Sequence, residues 1–139
     1  MANINSEQAK RRITFAADEL VREVFAEEVK RVVGNTPVVS GTTRANWVAG
    51  IGRKTRAKPK LRKTDPSGQA TIQAAIAKVR KGKVKKKMFL TNSVPWIRVL
   101  EFGLRGRPVR AMVRRVRAAH PQIANMVAAR VLQRARRIR

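Results

Sequence analysis

The chain has 139 residues, 43% of them apolar, with 33 Lys and Arg against 8 Asp and Glu and a formal net charge of +25. That apolar share suits one globular domain with its own core and argues against a disordered basic tail. The lack of Cys excludes disulfides, thiolate chemistry and the usual zinc ligand sets, and a single histidine, His120, excludes a multi-histidine metal site.

The first residues, Met-Ala-Asn-Ile-Asn-Ser-Glu, have neither the basic nor the apolar region of a signal peptide. Residues 5–33 read as a long amphipathic helix. Asn5 is placed to cap it, with Gln8 three residues on. Ile13, Ala17, Leu20, Val21, Val24, Phe25, Val29 and Val32 recur at helical spacing, and Gly34-Asn35 are expected to stop it. The first 34 residues hold six acids (Glu7, Asp18, Glu19, Glu23, Glu27, Glu28) and six bases. Everything after them carries 27 Lys and Arg against only Asp65 and Glu101. Uncompensated charge on that scale repels itself and seeks an anionic partner.

Residues 36–43 form a turn-rich loop, and Arg44 to Ile51 read as a strand carrying Trp47. Residues 53–64 hold seven cations (Arg53, Lys54, Arg56, Lys58, Lys60, Arg62, Lys63) and one proline, and read as a solvated arm that a partner would order. Asp65-Pro66 resembles a cap with Pro in the first turn. Ile72, Ala75, Ile76 and Val79 then predict about three turns of helix, ended by Lys81-Gly82. A second basic run, Lys83, Lys85, Lys86 and Lys87, leads into a strand over 86–92. Pro95 starts a short helical turn through Glu101, closed by Gly103, where a positive φ is expected.

After a Gly/Pro loop at 104–108, Val109 to Ala119 read as helix with Met112, Val113 and Val116 inward. His120-Pro121 marks a break. Ile123, Met126, Val127, Val131 and Leu132 define a last helix, which trails into an Arg-rich tail at about 133–139. The whole is an α+β single domain: a small antiparallel sheet packed against a long N-terminal helix and C-terminal helices.

Catalysis finds little support. Beyond the first helix only Asp65, Glu101 and His120 can exchange protons; Asp65 reads as a cap and His120 as an exposed loop residue. Gly50-Ile51-Gly52 lacks the rest of a nucleotide fingerprint. The expectation is no enzyme, no cofactor and no metal. Nucleic-acid binding fits the charge, directed at phosphate and indifferent to sequence, since no reader module and no interleaved aromatics accompany the cations. Acidic protein partners fit equally well. No apolar run approaches the roughly 20 residues of a membrane span, and the last helix is poor in the large apolar groups that hold a basic helix on a lipid surface, so no membrane partner is expected.

Two segments look more specified than a charged domain requires. One runs Thr36-Pro37-Val38-Val39-Ser40-Gly41-Thr42-Thr43-Arg44-Ala45-Asn46-Trp47. The other runs Asn92-Ser93-Val94-Pro95-Trp96-Ile97-Arg98-Val99-Leu100-Glu101-Phe102-Gly103, followed by Arg107-Pro108 and Met112-Val113-Arg114. In this order and spacing the chain resembles the tail-completion (neck, head–tail joining) proteins of long-tailed bacteriophages. The residues that carry the resemblance are Pro37, Gly41, Arg44, Trp47, Asn92, Pro95, Trp96, Glu101, Gly103, Pro108 and Met112. Val39 replaces the pattern's usual Asp and Trp96 its usual Tyr.

The resemblance implies a virion structural protein, assembled in the host cytoplasm into a homo-oligomeric ring that completes the tail. Six copies are expected, with twelve as the alternative. Its partners would be the tail tube, the head connector and the terminal genomic DNA. The alternative function is a free nucleic-acid-binding protein without sequence preference. On the residues themselves, Trp47 and Trp96 are expected to anchor helix to sheet, and Glu101 to pair with a nearby Arg.

Overall fold

A computed structural model describes residues 5–84, 86–106 and 109–138. Lys85 and Pro108, singled out above, lie outside them.

α1 spans Ser6–Asn35, and the Asn5 side chain accepts from the Gln8 amide at 2.7 Å, the N-cap the sequence predicts. The helix does not stop at Gly34-Asn35 but runs through them. It ends at Thr36, held extended (φ −71°, ψ 125°), because the residue before a proline, here Pro37, is disfavoured in helix. Thr36 is fully buried, and its hydroxyl donates to Val32 O at 2.8 Å.

Only the second half of the predicted apolar stripe enters the core. Val24, Val29, Val32 and Val33 are buried, whereas Ile13, Ala17 and Val21 are exposed. α1 packs along α6 (His120–Ala135) most extensively, then along α3 (Gln69–Lys81) and α5 (Met112–Ala118). These later helices bring Ile72, Ala75, Met112, Val116, Ile123, Val127 and Val131 into one core with Trp47 and Ala49.

The strand expected from Arg44 starts later, because Thr42–Ala45 form a single helical turn, α2. β1 is Trp47–Ile51 and β2 is Met88–Asn92, two residues later than predicted. They pair antiparallel from Trp47↔Asn92 to Ile51↔Met88, a two-stranded sheet. The architecture is α+β: a small antiparallel sheet, a long N-terminal helix and C-terminal helices.

α3 begins at Gln69, not Pro66. Gly68, at φ 74°, turns the chain into it, and Asp65 caps it from further back. Gly82 ends it in an extended conformation; a Cβ there would lie 2.0 Å from Ile51 Cδ1, so a side chain at this position would have to push the end of Ile51 aside. Gly103, at φ 79°, ends α4 (Ile97–Phe102) as predicted. α5 begins three residues later than expected, behind Ala111, which sits in left-handed geometry (φ 47°). Met112 and Val116 point inward, but Val113 is exposed. His120 is not a loop residue: it opens α6, with Pro121 in the first turn, and its ring meets Glu28 of α1. Ile123, Val127 and Val131 of α6 are buried, whereas Met126 and Leu132 face outward.

Candidate functional site

The two specified segments fold against each other. Trp47 pairs with Asn92 across the sheet. The Asn92 amide donates to Thr43 O at 2.8 Å, and the Trp96 indole donates to Thr43 Oγ1 at 2.8 Å. The Trp47 indole donates to Thr36 Oγ1 at 2.9 Å, so that threonine ties the end of α1 to the start of β1. Trp47 is a core residue, as expected. Trp96 is not: 40% of it is exposed, leaving it half on the surface. Pro37 is half-buried, just after the bend at Thr36, and Pro95 is exposed in a turn.

Arg44 is spent on structure. Its guanidinium donates to Thr36 O (2.8 Å), Pro66 O (2.7 Å) and Gly34 O (3.0 Å), fastening the loop and the start of α3 to the end of α1. Gly41 has φ 83°, and a Cβ there would lie 2.6 Å from Pro66 N, so its position is closed to any side chain. Glu101 meets Arg114, Nε to Oε1 at 3.4 Å. Its larger role is capping. Its two carboxylate oxygens accept from the amides of Val113 and Arg114, each at 3.0 Å, at the start of α5. Arg114 also lies over the Phe102 ring, 4.8 Å from its centroid. Met112 is fully buried beneath this corner.

Asp65 organises the entry to α3. It accepts from the Thr71 amide and hydroxyl, both at 2.8 Å, and from the Gly68 amide at 3.2 Å. Burial is the largest influence and would raise its carboxyl, but the hydrogen bonds from Thr71, Gly68 and Ser67 together outweigh it and hold the pKa below the ordinary value.

The basic arm is stitched to the fold at both ends, not free along its length. At one end it folds back against the end of β1: a Cβ on Gly50 would lie 2.5 Å from Arg53 O. At the other, the Asn46 side chain accepts from the Lys60 amide (2.7 Å) and donates to Lys60 O (3.1 Å). All seven cations of the arm are exposed. Arg53, Lys54 and Arg56 line a cleft of about 990 Å³ with Lys78 of α3 and Phe89 of β2. Lys86 lies beside Gly52, and Gly52 N donates to Lys87 O at 2.7 Å, which brings the second basic run to the same end of the sheet. Lys58, Lys60, Arg62 and Lys63 belong to the far end, near Asn46. Lys83 is exposed in the loop after α3.

Among the described residues, none of these cations has an acidic partner. The ion pairs lie elsewhere: Arg134 of α6 meets Glu19 (3.7 Å) and Glu23 of α1. α1 therefore supplies counter-charge to α6, and the arm receives none. Such a face can hold phosphate or carboxylate by charge. Among the described residues no group of three His, Cys, Asp or Glu side chains could hold a metal ion, and no helix is long and apolar enough to cross a membrane.

Lys78 and Phe89 escaped the sequence reading because they lie outside both basic runs; only the sheet register and the packing of α3 bring them to the cleft. Thr36 and Thr43 lie in the first specified segment, but their partners, like those of Thr71, are set by tertiary structure and leave no sequence signal. No protein-family model, curated protein or solved structure matches the chain.

Proposed function

We propose that this chain is a structural subunit of a tailed-phage neck, forming a ring at the head–tail junction through which DNA passes. The observation that carries the reading is the junction at Thr43, where the two segments resembling the neck proteins, 45 positions apart in the chain at Trp47 and Asn92, meet in one hydrogen-bonded unit. Exposed apolar groups support assembly. A ring built head to tail needs two different complementary surfaces, and exposed apolar side chains occur on two separate elements. Ile13 and Val21 lie on α1; Phe102, Leu104 and Val109 lie on and after α4. In the ring, the arm and Lys86–Lys87 face acidic neighbours or the held DNA end, since cations lining the whole lumen would grip phosphates and oppose sliding.

The unpaired cations of the arm favour a second reading, a free nucleic-acid-binding protein. Salt separates the two. Screening relieves repulsion between copies that each carry +25, so ring assembly strengthens as salt rises, whereas duplex binding weakens. Sedimentation velocity from low to high salt is expected to show closed oligomers of six or twelve chains gaining population. A single chain at every salt concentration, with steeply salt-sensitive duplex binding, would favour the second reading. Under that second reading, replacing Arg53, Lys54 and Arg56 by Ser lowers the salt slope of duplex binding by about three, roughly one per lost phosphate contact.

A further inference from the structure

β2 has an open edge. Gly52 N donates to Lys87 O, so alternation turns the backbone groups of residues 87, 89 and 91 toward β1 and those of Met88 and Leu90 away from it. Among the described residues β2 pairs with β1 alone, and no other element bonds to this edge. An unpaired edge of this kind is a template for another strand.

The side chains beneath the edge are apolar. Met88 and Leu90 lie opposite Ile51 and Ala49 and line a cleft of about 850 Å³ with Phe25 of α1 and Val116 of α5. An adjoining cleft continues it past Leu20 to Lys86 and Lys87. Lys54 and Arg117 stand in the lining of the larger cleft, and its acid, Glu28, is occupied by His120.

We propose that this cleft receives an extended acidic–apolar segment of a partner protein, which adds to β2 as a third strand. The free N–H and C=O groups at Met88 and Leu90 are spaced two residues apart, the period of a strand and not of a helix. Alternate apolar side chains of the guest enter the cleft, and the acidic ones between them meet the lysines. Beyond residue 34 a second copy of this chain offers only two acids, Asp65 and Glu101, both already engaged at helix starts, so it has no acidic strand to add, and a nucleic acid would leave the apolar floor uncovered. The proposal does not rest on the ring and stands or falls separately from it.

The probe is a fluorescein-labelled, end-capped peptide of about seven alternating Glu and Val residues, a short strand's length. It is titrated against the full chain by anisotropy at physiological salt. In an antiparallel addition the valines face Met88 and Leu90 and turn their amides toward β2. N-methylation at the valines is therefore expected to weaken binding about tenfold, and an equally charged oligoglutamate to bind about tenfold more weakly. Lys86→Glu combined with Lys87→Glu is expected to weaken it as well. Hydrogen exchange should show the amides of Met88 and Leu90 becoming protected when the parent peptide binds. Equal affinity of the N-methylated peptide or of oligoglutamate would overturn the proposal. So would protection of those two amides by a single-stranded oligonucleotide, or protection already present in self-associated protein, which would make a second copy the occupant.

Discussion

Gly34 and Ala111 are two residues whose backbone conformation and side chain are mismatched in opposite directions. Gly34 lies within α1, and a Cβ there meets nothing within 4 Å. Gly34→Ala should therefore stabilise the protein by about 0.5–1 kcal/mol through lost freedom of the unfolded chain. Ala111 holds left-handed geometry without being glycine, and Ala111→Gly should gain about 1 kcal/mol by relieving it. Urea melts of both variants check the pair. Asp65 supplies a pH test. Its folded pKa is depressed, so its contribution is fully present above the ordinary carboxylate range and is lost as pH falls through the folded value. Asp65→Ala should cost about 1–3 kcal/mol near neutral pH, from stranded donors at Thr71 and Gly68. That difference from wild type should shrink in acid, which denaturant melts across a pH series would measure.

At the scale of elements, the sequence specified existence better than edges. The Asn5 cap, the core-facing residues of α3 and the turn at Gly103 were legible because each depends on neighbours within a few positions. The end of α1 was misread because Gly34-Asn35 carried the signal for a stop, while the steric effect of Pro37 on Thr36 decides it. The start of β1 was displaced by α2, whose turn is fastened by bonds to distant carbonyls, from Arg44 to Pro66 and from Asn46 to Lys60. The candidate site was legible as two runs of cations, but the cleft that Arg53, Lys54 and Arg56 share with Phe89 and Lys78, and the approach of Lys86 to Gly52, depend on the pairing of β1 with β2. The two tryptophans, read as equivalent anchors, are unequal. Trp47→Ala should cost about 3–5 kcal/mol, as for a buried aromatic in a packed core. Trp96→Ala should cost much less and act instead on self-association, if the exposed ring belongs to a contact between copies. Thermal melts beside sedimentation of the two variants would separate these effects.

For the molecule as a whole, the charge asymmetry divides into two uses. The acids of α1 are spent inside the chain: Glu19 and Glu23 on Arg134, Glu28 on His120. The cations of the arm and of the run before β2 are exposed and have no acidic partner among the described residues. A domain built this way carries a neutral helix with exposed apolar groups alongside a strongly cationic face at one end of its sheet. Under the proposed neck function, the first surface would contact other copies and the second anionic neighbours. The claim that this subunit belongs to a phage neck is tested most directly by negative-stain imaging of purified particles labelled with an antibody against the chain. Label confined to the junction of head and tail is expected. Particles without label, or label scattered along packaged or released DNA, would contradict it.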